Sequence, residues 1–243
     1  LQSADVVLHD DLVSQEILAV LPATAQVFNA GKRCGTGKLV QAEINDLMVS
    51  FARSGQVVAR LKSGDPLLFG RAGEEMDALR QAGIEFEVIP GVTAALGAAA
   101  SAKIPLTDRR YASRVAFVTA HRAGSGGLAV DDPDVAPEII ADTTYVIYMP
   151  GNRYAELSSE LEAAGIGAEI PCLLISRATT REETICQTTV GELSRCPVAP
   201  SPSLLIVGAV VESIAKTATD GNISSVLCPE VLSLAMQHPF HNS

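Results

Sequence analysis

Short apolar runs rich in β-branched residues alternate with amphipathic stretches along most of the chain. The runs predict strands at Asp5–Leu8, Val27–Asn29, Val57–Leu61, Phe86–Ile89, Val115–Thr119, Thr144–Met149, Leu173–Ser176 and Leu204–Val207. Apolar residues that recur with helical spacing predict helices at Gln41–Arg53, Gly73–Ala82 and Asn152–Ala164. Strands separated by helical segments are typical of an α/β protein whose strands pair largely in parallel.

The predicted helices have ordinary core faces and ends. The first has an apolar face made of Ile44, Leu47, Met48 and Phe51. Gly83 and Gly165 follow the other two helices, at the position where glycine commonly ends a helix.

The polar segment Thr107–Arg114 separates two α/β stretches. It predicts an N-terminal lobe at residues 1–111 and a C-terminal lobe at residues 112–216. The α/β pattern fades after Lys216, so we expect residues 217–243 to form a peripheral tail. The loop Arg122–Pro137 is rich in Gly, Asp and Pro, and we expect it to be exposed.

Composition and charge exclude several classes of protein. The 243 residues include 18 Lys and Arg against 28 Asp and Glu, a formal charge of −10. Nucleic-acid-binding proteins neutralise phosphates with basic side chains, so this balance argues against that class. No apolar run reaches the roughly 20 residues of a membrane helix, and the first residues lack the pattern of a signal peptide. We expect a cytoplasmic protein whose partners are neither membranes nor nucleic acids.

The cysteines and histidines do not predict a metal site. The five cysteines are Cys34, Cys172, Cys186, Cys196 and Cys228, and no two of them form a CxxC pair. The four histidines form no HExxH motif. Structural zinc sites and disulfide frameworks have closer, paired spacings, so we expect reduced thiols and no metal.

Two loops that follow predicted strands are candidates for ligand binding, because α/β proteins bind ligands at the carboxyl ends of parallel strands. In the first loop, Gly64 allows a ligand to approach the backbone, Asp65 offers an acceptor and Pro66 fixes the turn. An ordinary tight turn has the same tripeptide. In the second loop, Thr93 is placed to cap a helix of small residues at 94–102, for which close helix–sheet packing is the alternative explanation.

Charged residues follow two further predicted strands. Asp10 comes after the first strand, and Lys32 comes after the strand at Val27–Asn29. A carboxylate and an ammonium at neighbouring strand ends suit a base and an acid, or an anion clamp, although surface ion pairs have the same composition. The glycines at 31–37 lack the spacing of a P-loop, and Leu39 stands where a P-loop has Ser or Thr.

Taken in order, several segments give the chain a specific resemblance. They are ADVVLHDDLVS, AGKRCGTGKLVQAEIN, RLKSGDPLLFGRAGEE, VIPGVTAALGAAASAKIPLTDRRYAS, VTAHR, VIYMPGN and PSLLIVGAVV. They span roughly residues 4–211 in the order and at the spacings of the tetrapyrrole (precorrin) methylase family, which the chain resembles. The resemblance implies two α/β lobes with S-adenosylmethionine in the cleft between them.

Carried over residue by residue, the resemblance also implies a site. Asp10 matches the family's proton acceptor and Lys32 its proton donor. The implied cofactor contacts are Ser63, Gly64, Asp65, Leu68, Thr93, Ala94, Met149 and Ala178. The implied reaction is the C-methylation of uroporphyrinogen III, by two methyl transfers through precorrin-1 to precorrin-2, in sirohaem or cobalamin biosynthesis. The resemblance further implies a homodimer.

The implied substrate carries eight carboxylates, so an acidic protein needs basic groups to bind it. Arg33, Arg109, Arg110 and Arg114 are the candidates beside Lys32, because arginine binds carboxylates with two hydrogen bonds. For each of these residues a solvated surface charge is the alternative explanation.

The chain departs from the family pattern in a few places. Ser63 and Ala178 replace usual glycines, and Pro150 interrupts a usual YMG. The chain begins after the strand and GxGPGDP loop with which members of the family start, so we expect the fold without its first N-terminal strand. Two alternative functions follow: methylation of a later corrin precursor, or a non-catalytic protein that binds the cofactor.

Overall fold

The computed structural model describes residues 1–31, 40–120 and 142–213, and the chain divides into two compact units. Of the described residues, the first unit comprises those within 1–101, 176–184 and 200–204, and the second comprises those within 102–175 and 185–199 and those from 205 onward. Both contain strands and helices, as the alternating pattern predicts. The predicted loop Arg122–Pro137 and the predicted tail at 217–243 lie outside the described residues.

The first unit is built on a three-stranded parallel sheet with the order β2-β1-β3. Its strands are β1 (Val6–His9), β2 (Gln26–Asn29) and β3 (Val58–Leu61). Its helices are α1 (Gln15–Leu18), α2 (Gln41–Arg53), α3 (Ala72–Gln81) and α4 (Ala94–Ala102). All four β1 residues are buried because this strand is central.

The core of this unit forms where the predicted apolar face of α2 packs against β1. Ile44 and Met48 are buried with Val6 and Leu8, and Leu47 and Phe51 pack against the edge of the same cluster. The predicted face of the helix is therefore confirmed. Gly83 follows α3 with a φ of 69°, which also confirms the predicted end of that helix.

The prediction of a strand at Phe86–Ile89 is wrong. These residues are exposed and belong to neither a helix nor a strand. Their apolar, β-branched composition favours an extended chain, but a strand also needs a hydrogen-bonded neighbour. Within the described residues, no strand pairs with this segment.

The second sheet has five strands in the order β4-β5-β8-β6-β7. They are β4 (Arg114–Thr119), β5 (Thr143–Tyr148), β6 (Pro171–Ser176), β7 (Thr184–Thr189) and β8 (Ser203–Val207). The helix α5 (Tyr154–Ala163) buries Leu157 and Leu161 in the core of the second unit, and Gly165 follows it with a φ of 96°. Sequence reasoning missed β7, whose half-exposed, polar residues lack an apolar run.

Three cysteines are described, and all three are free thiols. Cys172 is fully buried in the core of the second unit, where Cys186 and Cys196 place their Sγ atoms 3.2 Å apart. Burial raises the pKa of the Cys172 thiol to about 12. Burial and the Cys196 contact raise the pKa of Cys186 to about 11. Cys34 and Cys228 lie outside the described residues.

These raised pKa values predict slow alkylation of Cys172 and Cys186. Only the thiolate reacts, and a thiol whose pKa is about 11 is roughly one part in a thousand thiolate at pH 8. We expect site-resolved mass spectrometry after iodoacetamide treatment at pH 8 to find both thiols unmodified in the folded protein and modified in urea. Rapid labelling of Cys186 in the folded protein would contradict this prediction.

Within residues 1–31, 40–120 and 142–213, we find no helix with both the length and the apolar character that crossing a membrane requires.

Candidate functional site

The candidate site lies in the first unit, beyond the carboxyl ends of β1 and β3. Because these strands are parallel and adjacent, the loops that follow them emerge at the same edge of the sheet. Asp10 begins the loop after β1, and its backbone N–H donates to the carbonyl of Leu61 at 3.2 Å. The loop after β3, at residues 62–71, contains the predicted ligand-binding tripeptide Gly64–Pro66.

The two predicted ligand-binding loops touch each other through Asp65. Its Oδ1 accepts a hydrogen bond from the N–H of Leu67 at 2.9 Å, and its Oδ2 accepts one from the N–H of Gly91 at 3.0 Å. Gly64 has a φ of 73°, a conformation that favours glycine. A Cβ on Gly91 would lie 2.2 Å from the Gly64 carbonyl oxygen, so only glycine allows these backbones to approach this closely.

A cavity of about 290 Å³ opens between these loops. Its lining residues are Asp65, Leu67, Leu68, Gly91, Thr93 and Leu96. Leu67 is 58% exposed and Leu96 is 51% exposed, so both present apolar surface to the cavity. The structure therefore brings together three of the predicted cofactor contacts, Asp65, Leu68 and Thr93, with two apolar side chains that sequence reasoning did not select.

Of the other predicted cofactor contacts, four lie in the first unit and one lies in the second unit. Ser63 and Gly64 are exposed at the start of the first loop, and Ala94 is exposed at the start of α4. Ala178 is half-buried in the first unit. Met149 follows β5 in the second unit, where it is exposed and has a φ of 54°.

Asp10 is held by an arginine that sequence reasoning missed. The Nη2 of Arg60 donates to the Oδ1 of Asp10 at 2.5 Å. The Nη1 of the same guanidinium donates to the carbonyls of Leu8 and Leu61, both at 3.2 Å. The side chain of Asp10 is still 32% exposed, and its Oδ2 accepts no hydrogen bond from the described residues.

Behind Arg60 lies a buried carboxylate, Glu75, which is only 4% exposed. Its Oε1 accepts hydrogen bonds from the Nε of Arg60 at 3.1 Å and from the Nε2 of Gln41 at 3.1 Å. The Nζ of Lys62 lies 3.0 Å from each carboxylate oxygen. A signal for this residue exists in the sequence, since Glu75 lies in the stripe that α3 forms with Ala72 and Leu79.

The predicted substrate-binding arginines that are described lie in the second unit. Arg109, Arg110 and Arg114 are all exposed. The guanidinium of Arg110 pairs with Asp108 at 2.7 Å, and its hydrogen bonds lower the pKa of that carboxyl to about 2. Lys32, predicted as the proton donor, and Arg33 lie outside the described residues.

Comparison with known proteins gives matches over most of the chain. Residues 1–194 match the family described as Tetrapyrrole (Corrin/Porphyrin) Methylases. Over 214 residues the chain is 44% identical to uroporphyrinogen-III C-methyltransferase of Paracoccus denitrificans, covering 86% of this chain and 73% of that protein. Over 239 residues it is 41% identical to siroheme synthase 1 of Yersinia enterocolitica, covering 97% of this chain and 50% of that protein. The chain thus spans about half the length of that synthase.

A crystal structure with a similar fold contains a bound ligand. It is the uroporphyrin-III C-methyltransferase of Thermus thermophilus complexed with S-adenosylhomocysteine. The two folds match with a TM-score of 0.72 at 35% sequence identity, covering 86% of this chain and 88% of that chain.

Proposed function

We propose that this chain, which belongs to the tetrapyrrole (corrin/porphyrin) methylase family, methylates ring carbons of uroporphyrinogen III with S-adenosylmethionine as the methyl donor. The proposed reaction is two successive transfers, through precorrin-1 to precorrin-2, in sirohaem or cobalamin biosynthesis. The observation that carries the proposal is the cavity between the 62–71 loop and the loop at Gly91, on a unit that also presents a partly exposed carboxylate at Asp10. A homodimer in the cytoplasm is part of the same proposal.

The residues around the cavity fit a nucleoside cofactor. Leu67, Leu68 and Leu96 offer apolar surface for a base, and Thr93 offers a hydroxyl group. The close approach of Gly91 to Gly64 brings the two loops together beside the cavity. We expect these residues to hold S-adenosylmethionine, which supplies a methyl group on a positively charged sulfur when it is bound.

The chain's own contribution to the chemistry centres on Asp10. Methyl transfer to a substituted pyrrole carbon leaves a cationic ring system, which becomes neutral when another atom of the substrate loses a proton, so a base in contact with the substrate lowers the barrier. The Oδ2 of Asp10 is the atom available for that proton, because Arg60 occupies Oδ1. Arg60 also fixes the orientation of the carboxylate, so no rotation of the side chain is needed at the moment of transfer.

An anaerobic assay of the complete protein tests the proposal. The protein is incubated with uroporphyrinogen III and S-adenosylmethionine carrying a labelled methyl group, and the label and the absorbance of the product are followed. We expect two methyl groups per substrate molecule. Transfer only to a later corrin precursor would support the first alternative function. Binding of S-adenosylhomocysteine without transfer to either substrate would support a non-catalytic binding protein.

We expect Asp65→Ala to weaken cofactor binding about tenfold, because the change removes a carboxylate that accepts hydrogen bonds from two backbone N–H groups. The carboxylate of Asp65 joins the turn at Leu67 to the second loop at Gly91, so its loss releases one wall of the cavity. Calorimetric titration with S-adenosylhomocysteine measures the dissociation constant.

Asp77→Ala is the matched control, because Asp77 is an exposed carboxylate that pairs with Arg80 on α3. We expect this variant to bind S-adenosylhomocysteine as the wild type does. Equal dissociation constants for the two variants would argue against a role of Asp65 in the cofactor site.

A further inference from the structure

All three nitrogens of the Arg60 guanidinium group donate hydrogen bonds. It donates to Asp10 at one end, to Glu75 at the other, and to two backbone carbonyls between them. A guanidinium held at four acceptors has no freedom to turn, so the position of Asp10 depends on the position of Glu75. Asp10 thus belongs to a fixed network, although it follows a strand and is partly exposed.

The network is electrically balanced. Two cations, Arg60 and Lys62, face two carboxylates, Asp10 and Glu75. The side chains of Lys62 and Glu75 are each only 6% exposed, so water screens their charges poorly. A change of charge at either residue is therefore felt at Asp10 through Arg60. An exposed ion pair would have little effect.

We propose that Glu75 and Lys62 are positioning residues that, acting through Arg60, set the proton affinity and orientation of the Asp10 carboxylate. The proposal rests on the proposed function, in which Asp10 accepts a proton from the substrate. Glu75 limits how strongly Arg60 and Lys62 stabilise the charged form of Asp10. Without that limit, Asp10 would be a weaker base.

Other groups near Asp10 belong to the same environment. His9 is buried beside it, with its Nδ1 3.0 Å from the Asp10 carbonyl oxygen. Asp11 accepts a hydrogen bond from the Nδ2 of Asn29 at 2.9 Å. These groups are unchanged in the variants below, so opposite responses to opposite changes of charge identify the contribution of Glu75 and Lys62.

The test compares Glu75→Gln with Lys62→Met. Aspartate carboxyls are labelled with ¹³C in the complete protein, and the Asp10 resonance is assigned by its absence from Asp10→Asn. Relative to wild type, we expect the Asp10 titration midpoint to fall by about half a pH unit in Glu75→Gln and to rise by a similar amount in Lys62→Met. The double variant Lys62→Met/Glu75→Gln should titrate close to wild type, because its charges are again balanced.

Control variants separate charge from structure. Glu75→Asp keeps the charge at position 75, so the Asp10 titration midpoint in this variant should stay close to that of wild type. If one single variant does not fold, the other is compared with the double variant, and the Asp10 midpoint must move in the expected direction between them. Midpoints that stay unchanged, or that move in the same direction in both single variants, would overturn the proposal.

Kinetics provide the second readout. The acidic limb of the pH profile of kcat/KM for methyl transfer should move with the Asp10 midpoint, while the affinity for S-adenosylhomocysteine stays the same. If wild type does not methylate uroporphyrinogen III but the midpoints move as expected, the proposed function fails and the network is supported. If wild type is active and the midpoints do not move, the network proposal alone fails.

Discussion

Gly91→Ala is expected to lower methyl transfer at least about a hundredfold, because misplacing a preorganised site by about 1 Å has an effect of that order. The new Cβ would lie 2.2 Å from the Gly64 carbonyl oxygen and 3.1 Å from its carbonyl carbon. Both are backbone atoms, so no side chain can rotate away to relieve the overlap. The loops must separate, and the hydrogen bond from Gly91 to Asp65 is lost with their contact.

The affinity for S-adenosylhomocysteine, measured by calorimetry, should fall together with activity in this variant. Gly73→Ala is the matched control, since a Cβ at that position in α3 meets nothing within 4 Å. Alanine favours a helix over glycine by up to about 1 kcal/mol, so the control should be as stable as wild type or more stable. Unchanged cofactor affinity in Gly91→Ala would show that the two loops do not form the cofactor site.

The contact between the loops shows what sequence reasoning can and cannot predict. The sequence predicts a ligand-binding loop at Gly64 and Asp65, because a glycine and a carboxylate after a strand are typical of such loops. In the structure both carboxylate oxygens of Asp65 accept hydrogen bonds from backbone N–H groups. Asp65 therefore shapes the cavity. Predicting this role would require knowing that Asp65 and Gly91, 26 positions apart, are in contact.

The prediction of strands from the sequence has the same limit. The apolar runs predicted β1, β3 and β5 to within about one residue, because periodicity reports which residues can be buried. The prediction at Phe86–Ile89 was wrong, and β7 was missed, because a strand depends on its hydrogen-bonded neighbour as well as on composition.

The charged network is only partly visible in the sequence, which places Glu75 in the buried stripe of α3 but gives no sign of its partners. Charged residues are mostly exposed in folded proteins, yet the side chains of Lys62 and Glu75 are almost completely buried. Their burial is possible because each charge has a partner within about 3 Å in the fold. Asp10 follows the end of β1, but its partner Arg60 comes 50 residues later in the sequence.

Asp10→Asn is expected to lower methyl transfer by about 10²- to 10⁴-fold, the usual contribution of a general base. The amide has nearly the same volume and its oxygen still accepts a hydrogen bond from Arg60, so the change removes the basic oxygen and little else. The measurement is the rate of methyl transfer in a single turnover at saturating S-adenosylmethionine. The dissociation constant of S-adenosylhomocysteine should stay within about twofold of wild type, because none of the residues that line the cavity changes.

Asp11→Asn is the matched control for this variant. Asp11 is the next carboxylate in the chain and accepts its hydrogen bond from Asn29, and an asparagine oxygen can accept the same bond. If the carboxylate of Asp10 removes the proton, Asp10→Asn loses the chemical step while Asp11→Asn keeps it. Equal losses of activity in the two variants, or a parallel loss of cofactor binding in Asp10→Asn, would show that Asp10 supports the fold of the loop and does not act as the base.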